Sequence, residues 1–425
     1  MQAIRRFSLT SHLKMTMADT SSAPTPQECA VETQPARKRA TIGLPKCCNP
    51  AEKRFPLTPE AVGSLTRMGF TVKMQAGAAA YIHYSDNAYV KAGASICSRD
   101  ETLQADIVIH LAPLAIADIK RLRRGALLLS LANFNRSGAP EVIRELLGRR
   151  IINIAIDLVR DGQGNRPFGD ILSEIDGRSA MTIAASMLAD PVNGKGILLG
   201  GVAGVIPCEV TIIGSCLAAG AAARSAMGLG AVVRLFDDDV YRLRTALRQL
   251  GGGVIGSSLH PHVLENALRT ADIVIVTDSR TALPLDCNPN MILKRNVLVF
   301  DLSDTPGKAF PTMSTIDLGE LDGDACTAAT GFSMVNDLNA DTNRRRYCFV
   351  NPGSTVPRTA AMALSDTFIT LLNSIADCDG SGATLPMTPG LQEATLTFMG
   401  KPVNEQVARM AGMRFTDIRI LLALS

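Results

Sequence analysis

The sequence predicts an α/β protein with two domains, each with a mainly parallel sheet flanked by helices, one of them a doubly wound Rossmann domain. The chain has 425 residues, and at about 100–200 residues per domain this length suits two or three domains. Short apolar runs alternate with segments of helical spacing along most of the chain. Such alternation is typical of parallel strands joined by crossover helices.

The composition excludes several classes of function. Hydrophobic residues make up 46% of the chain and charged residues 20%, as in ordinary globular proteins. The formal net charge of +3 is too small to indicate nucleic acid or a membrane surface as a partner. The ten cysteines are scattered without zinc-type spacing, so we expect neither a metal site nor a disulfide framework.

Residues 1–39 are interpreted as a disordered leader or a targeting segment. The opening segment contains Arg5, Arg6 and Lys14 and no acid before Asp19, which is the composition of a mitochondrial transit peptide. A disordered tail, or a start codon assigned too early, explains the same residues. We therefore expect a cytoplasmic protein, with the mitochondrial matrix as the alternative.

A first domain is expected over residues 40–172. The run ATIGLP predicts its first strand, and Thr58 and Pro59 predict the N-cap and first position of a helix that ends at Gly69. Further strands are predicted in ADIVIHLAP, GALLLSLAN and IINIAID, with a helix in PEVIRELLGRR before the last of them.

A second domain is expected over residues 173–356. A long helix is predicted from about Ser173 to Asp190, followed by a regular series of strands and helices from VTIIG to NVLVFDL. Residues 357–425 are predicted to be C-terminal helices that return to the first domain. The apolar stretch 196–223 is too rich in glycine for a membrane span, and it predicts two buried strands joined by turns.

The turn after VTIIG is the candidate dinucleotide site. In the pattern G-x-G-x-x-G/A, Gly214 makes the tight turn and Ala219 allows close packing of helix and strand. Cys216 stands where a glycine would let the backbone approach a pyrophosphate. Asp237 ends the strand VVRLFD about 20 residues further on, where a carboxylate accepts the ribose hydroxyls of NAD and repels a 2′-phosphate. The pattern predicts NAD as the cofactor; the alternative is a pocket blocked by the Cys216 side chain.

Several stretches together resemble the alanine dehydrogenase family and its relative, the NAD-binding subunit of proton-translocating transhydrogenase. They are NPAEKRFPLTP, SDNAYVKAGA, LSEIDGR, NGKGILLGGVAGV and NPGSTVPRT. The tail FMGKPVNEQVARMAG is more similar to alanine dehydrogenases than to transhydrogenases. The resemblance implies an oxidoreductase that passes hydride between NAD and a small amino acid, 2-keto acid or imino acid, in a homo-oligomer, either a dimer or a hexamer.

The resemblance implies a site made of an Arg, a Lys, a His and an Asp, of which this chain keeps a part. Arg54 matches the Arg that binds the substrate carboxylate, and Asp304 matches the acid, with Asp301 as the alternative. The Lys is missing from the run HLAP, where His110 ends a strand and becomes a candidate acid or base. Asn133 stands in place of the His, and an amide cannot exchange a proton near neutral pH.

The resemblance also implies cofactor contacts at several strand and helix ends. These are Ser173, Thr277, Asp278, Leu302, Ser303 and Asn351. Asp278 departs from the family, which often has an apolar residue there. Two alternatives to a working dehydrogenase stay open: a catalytically degenerate nucleotide-binding paralogue with a structural or regulatory role, and a transhydrogenase-like NAD-binding component.

Overall fold

Two sheets, one of eight strands and one of seven, organise the part of the chain that the structure describes. The computed structural model describes residues 40–132, 140–191, 194–278, 283, 292–294, 296–321, 347–376 and 388–424. Both sheets are mainly parallel and are flanked by helices, so the predicted fold class is confirmed.

The eight-stranded sheet has the spatial order β15-β14-β6-β5-β4-β1-β2-β3. Its strands are β1 (Thr41–Leu44), β2 (Thr71–Gln75), β3 (Ser95–Cys97), β4 (Ile107–Ile109), β5 (Leu127–Ser130), β6 (Ile152–Ala155), β14 (Thr395–Phe398) and β15 (Lys401–Pro402). Ile42 of β1 is paired with Val72 of β2 and with Ile107 of β4, and all three strands are parallel.

The helices that accompany these strands are short. They are α1 (Pro59–Arg67), α2 (Asp86–Lys91), α3 (Arg99–Leu103), α4 (Ile116–Ile119), α5 (Pro140–Gly148), α11 (Pro389–Ala394), α12 (Glu405–Ala411) and α13 (Ile418–Leu424), with 3-10 turns at Ala80–Ile82 and Ile156–Leu158. Helix α1 begins as predicted, since Pro59 occupies its first turn and the Thr58 hydroxyl accepts a hydrogen bond from the Ala61 amide at 3.4 Å.

The seven-stranded sheet has the spatial order β12-β13-β11-β10-β7-β8-β9. Its strands are β7 (Glu209–Ile213), β8 (Val232–Asp237), β9 (Val254–Ser258), β10 (Ile273–Val276), β11 (Leu298–Asp301), β12 (Ser314–Asp317) and β13 (Tyr347–Val350). Its helices are α7 (Leu217–Gly228), α8 (Val240–Leu250) and α9 (Pro261–Thr270), and a 3-10 turn at Pro352–Thr355 follows β13.

Both sheets place their first strand in the middle. Strand β1 lies between β2 and β4, and β7 lies between β8 and β10, with every pairing parallel. The chain therefore winds outward in opposite directions from each first strand, and a crevice opens at the carboxyl ends of the two central strands. The loops after β1, β4, β7 and β10 line these crevices.

Two long helices connect the sheets. Helix α6 (Pro167–Ala189) leads from the first sheet to the second, and α10 (Pro357–Ala376) follows the last strand of the second sheet. The rings of Phe168 and Phe368, one from each helix, lie 4.8 Å apart in the core of the first sheet. Helix α6 also touches α7 closely, because a side chain at Gly177 would meet the Ala218 carbonyl oxygen at 2.3 Å.

Two predictions of secondary structure are wrong. The stretch 196–223 contains one strand, β7, and the start of α7, while the expected earlier strand is a loop in which Leu198 is 64% exposed and Ile206 is 88% exposed. Gly201 and Gly204 have positive φ in this loop, which is incompatible with a continuous strand. The C-terminal segment adds β14, antiparallel to β6, where only helices were predicted.

No helix of the described residues is both long enough and apolar enough to cross a membrane.

Candidate functional site

Arg54 lies in the loop between β1 and α1, and its guanidinium is held by a carboxylate two residues earlier. Nε donates to Oε1 of Glu52 at 2.7 Å and Nη2 donates to Oε2 at 2.6 Å. Both residues are buried, at 9% and 5% exposure. Burial alone would lower the pKa of Arg54, but the charges of Glu52, Asp176 and Asp157 raise it overall, so the guanidinium stays charged.

The loop that carries Arg54 is fastened by the end of the second sheet. The carbonyl oxygen of Ala51 accepts from Asn351 Nδ2 at 2.7 Å and from Ser354 Oγ at 2.8 Å. Gly319 lies so close that a side chain there would meet the same carbonyl oxygen at 2.0 Å. Asn351, predicted as a cofactor contact, has φ of 57° and uses its amide to position this loop.

Asp157 lies at the edge of the first sheet and is affected by a charge on the loop after β11 of the second sheet. Its carboxylate, just after β6, accepts from the Ala132 amide at 2.7 Å. Burial raises its pKa, the Ala132 amide lowers it, and the negative charge of Asp304 raises it further. Because Arg54 also interacts with Asp157, the predicted residues Arg54 and Asp304 share one electrostatic neighbour. Asn133, the residue after Ala132, lies outside the described residues.

Asp304 and its alternative, Asp301, lie in different surroundings. Asp301 is 1% exposed, and its carboxylate accepts from Ser303 Oγ at 2.6 Å and from the Gly307 amide at 2.8 Å. Asp304 is exposed in the loop after β11. Asp301 and Ser303 therefore hold the loop in shape, whereas Asp304 is accessible to a ligand; the half-buried Leu302 lies between them, and its amide bonds to Val276 at 2.7 Å.

His110 follows β4 and lines a cavity of about 340 Å³ between the loops after β1 and β4. Its Nδ1 contacts the Ala112 carbonyl oxygen, and since a carbonyl can only accept, Nδ1 carries the proton. Its Nε2 is buried without a hydrogen-bond partner among the described residues. Burial lowers the pKa of the ring, so His110 is neutral at neutral pH. Arg99, paired with Asp118 at 2.7 Å, lines the same cavity.

The turn after β7 has the geometry of a phosphate-binding turn. Gly214 has φ of +97°, and a side chain there would meet Thr277 Oγ1 at 2.4 Å. Cys216 is the exposed N-cap of α7 and makes no side-chain cap bond, so it leaves the first backbone amides of the helix without a side-chain cap. Ala219 is fully buried, which allows the close helix–strand packing that the sequence predicts.

Cys216 and Thr277 meet across the crevice between β7 and β10. The Cys216 thiol lies 3.9 Å from the Thr277 carbonyl oxygen, and Thr277 Oγ1 donates to the Ile213 carbonyl at 3.1 Å. The Cys216 thiol is thus directed toward the neighbouring strand, and the backbone of the turn at Gly214 has the positive φ that the tight turn of a dinucleotide-binding pattern requires.

Asp237 ends β8 as predicted, but its carboxylate is already engaged. Oδ2 accepts from Ser215 Oγ at 2.5 Å, and Oδ1 accepts from the Asp239 amide at 2.8 Å and from Arg242 Nη2 at 2.7 Å. Burial would raise its pKa, but these hydrogen bonds lower it overall. Arg242 Nη2 also lies 3.1 Å from Asp278 Oδ2, so it joins the ends of β8 and β10.

The remaining predicted contact, Ser173, is half-buried on α6, the helix that joins the sheets. In the described parts of the chain, no three His, Cys, Asp or Glu side chains group together in a way that could hold a metal ion. The sequence reasoning missed three residues that organise the site: Glu52, Asp157 and Arg242. The run of three acids from Asp237 to Asp239 was the available signal for Arg242, since closely spaced carboxylates call for a cation.

Known proteins are similar to this chain in sequence and in fold. Residues 43–173 match the family described as alanine dehydrogenase/PNT, N-terminal domain, and residues 180–301 match its C-terminal domain. The alanine dehydrogenase of Mycolicibacterium smegmatis is 29% identical over 391 residues, which cover 90% of this chain and 100% of that protein.

Two solved structures show the same fold. An L-alanine dehydrogenase superposes with a TM-score of 0.72 at 22% identity, covering 87% of this chain and 98% of that one. A transhydrogenase from Sinorhizobium meliloti gives 0.63 at 20% identity, covering 86% and 99%. Both halves of the family match in order, across more than half of the sequence, and the chain belongs to the alanine dehydrogenase/PNT family.

Proposed function

We propose that this protein is an NAD-dependent oxidoreductase acting on a small amino acid and the corresponding 2-keto or imino acid. The observation that carries the proposal is the hydrogen bond from Asn351 Nδ2 to the Ala51 carbonyl oxygen. It joins the loop of the buried Arg54 to the second sheet, whose central strand is followed by the candidate dinucleotide turn at Gly214. The alanine dehydrogenases related to this chain support the same reaction class. When bound, NAD supplies the hydride acceptor, and NADH the donor in reverse.

Arg54 is the proposed anchor for the substrate carboxylate. A guanidinium presents five N–H groups in a fixed fork, and Glu52 engages Nε and Nη2. A substrate carboxylate binds at the remaining N–H groups or displaces Glu52. In either case Glu52 keeps the guanidinium oriented and the buried charge balanced while the site is empty of substrate.

Proton transfer in the proposed reaction falls to carboxylates and to His110. The run HLAP has no lysine, so a cationic amine is not available from that loop. Asp304 is exposed and balances the positive charge of an amino or imino group. Asp157, whose pKa is raised by burial, is the carboxyl group better suited to accept and return a proton.

A second candidate function is a nucleotide-binding protein without turnover. The observation that favours it is the engagement of Arg54 by Glu52 together with the missing lysine. This candidate shares the NAD site with the first and differs only in the absence of chemistry.

The experiment is to measure NADH binding by fluorescence and then NADH oxidation with ammonium and a series of 2-keto acids, beginning with pyruvate. Turnover that is lost in both Arg54→Lys and Asp304→Asn supports the dehydrogenase. Arg121→Lys, at an exposed ion pair with Asp100, is the matched control and should keep full activity. Binding without turnover on any keto acid supports the second candidate, and no NADH binding at millimolar concentration contradicts both.

A further inference from the structure

Arg242 has an unusual number of acidic neighbours. Its Nη2 lies 2.7 Å from Asp237, 3.3 Å from Asp238 and 3.1 Å from Asp278, and its Nε lies 3.7 Å from Asp239. One guanidinium thus faces four carboxylates, so any of these pairs can be given up while others still balance the charge.

The four carboxylates are not equivalent in position. Asp237, Asp238 and Asp239 lie together at the end of β8 and the start of α8, whereas Asp278 comes from the loop after β10. Asp278 lies against the phosphate turn itself, because a side chain at Gly214 would meet the Asp278 Cβ at 3.0 Å. The Arg242–Asp278 pair therefore spans the crevice between β8 and β10, over the central strand β7.

A carboxylate beside this turn opposes binding of any anionic group there. Like charges a few ångströms apart repel each other, and partial hydration weakens this repulsion without removing it. The structure offers one way to remove that cost, since Arg242 is 32% exposed and its Nε is buried without a hydrogen-bond partner among the described residues. Asp237, Asp238 and Asp278 all contact the same nitrogen, Nη2, so the guanidinium can exchange one of these carboxylates for another anion while the others still balance its charge.

We propose that Arg242 sets the affinity for the dinucleotide by exchange: it pairs with Asp278 in the free protein and transfers from that carboxylate to an anionic group of the bound nucleotide. The inference rests on the proposed NAD binding. Asp278 is then the residue that holds Arg242 in its resting position, and Arg242 is a positioning and affinity-determining residue of the cofactor site.

The test compares the NADH dissociation constant of the full chain and its variants by fluorescence titration. Asp278→Asn should tighten binding by about 5–10-fold, because it releases Arg242 and removes a like charge. Arg242→Gln should weaken binding by at least about tenfold. Asp239→Asn is the matched control: it removes the same charge near Arg242, and Asn caps the helix equally well, so a change below about twofold is expected.

The double variant Arg242→Gln/Asp278→Asn separates exchange from simple repulsion. Exchange requires that the gain from Asp278→Asn be smaller in the absence of Arg242 than in its presence, because no guanidinium is then released to the nucleotide. Simple repulsion predicts the opposite, a larger gain, because Asp278 is then no longer neutralised. A larger gain in the double variant, or an equal gain from Asp239→Asn, overturns the inference.

The outcomes also separate this inference from the proposed function. If the wild-type chain binds NADH and Asp278→Asn leaves the dissociation constant unchanged, exchange is wrong and the NAD site stands. If neither the wild type nor any variant binds NADH, the NAD site itself is wrong. Thermal unfolding of each variant without NADH checks that the fold is retained.

Discussion

At the carboxyl edge of each sheet an arginine is held by carboxylates, but the two edges hold it differently. Each sheet has its first strand in the middle, and each has an arginine next to a carboxylate at the resulting crevice. Arg54 is buried and held by Glu52, whereas the half-exposed Arg242 is shared among four carboxylates. The difference teaches that a buried pair fixes a charge in place, while a charge shared among several carboxylates can lose one partner and stay balanced by the others.

The largest effect expected from this comparison concerns stability. Glu52→Gln should lower the free energy of unfolding by about 3–5 kcal/mol, because it leaves the buried Arg54 charge without its partner. Asp278→Asn should cost less than about 1 kcal/mol, since Arg242 keeps Asp237 and Asp238. Urea unfolding of the two variants measures both values. Equal losses would show that the two arginines are held alike.

A smaller loss of stability is expected from a substitution in helix α6, which contacts both sheet edges. Helix α6 carries Asp176, which accepts from the Gly353 amide at 2.9 Å, and it packs on α7, whose N-terminus forms the phosphate turn. Gly177→Ala should cost about 1–3 kcal/mol, because its Cβ would meet the Ala218 carbonyl oxygen and force α6 and α7 apart.

The same substitution should disturb both edges together. We expect Gly177→Ala to weaken NADH binding and to raise the KM for the keto acid, since α6 positions both. Gly220→Ala on α7 is the control: its Cβ would make only an ordinary contact at 3.8 Å, so a gain of about 0.5–1 kcal/mol is expected. Thermal unfolding and NADH titration of both variants test this, and a loss confined to one edge would contradict it.

Much of the fold could be predicted because its signals are local. The cap at Thr58, the turn at Gly214 and the acid at the end of β8 follow from neighbouring residues and from the alternation of strands and helices. Strand β14 was missed because it is stabilised by pairing with β6, which lies far away in the sequence. No local pattern indicates such a partner.

The site was harder to predict for the same physical reason. The family resemblance places Arg54 in a motif, but it does not reveal that the Glu52 carboxylate accepts hydrogen bonds from the Arg54 guanidinium. Asp157 lies in no motif, and its importance comes from burial and from charges on both sheets. The sequence identified Asp278 as a departure, but its pairing with Arg242 depends on the spacing of β8 and β10 in three dimensions.

The smallest expected effect is a pH dependence at the first-sheet edge, where His110 is buried and neutral. Burial is the largest effect and lowers its pKa; the hydrogen bond with the Ala112 carbonyl opposes it, the charge of Arg99 lowers the pKa further, and Glu52 and Asp118 raise it slightly. The unfolded chain therefore binds more protons than the folded one as the pH falls below about 6.5, the ordinary pKa of histidine.

The stability that the neutral His110 contributes is fully present above about pH 6.5. It declines as the pH falls toward the lowered pKa of His110 in the folded protein, and the free energy of unfolding then drops by at most about 1.4 kcal/mol per pH unit. For this reason the free energy of unfolding of His110→Leu should change less between pH 7 and pH 5 than that of the wild type, as measured by urea unfolding at each pH. His83→Asn is the control, because His83 is exposed with φ of 58°, a conformation that Asn tolerates. An unchanged profile in His110→Leu would mean that His110 can be protonated in the folded protein, and the first edge would then hold a charge that changes with pH.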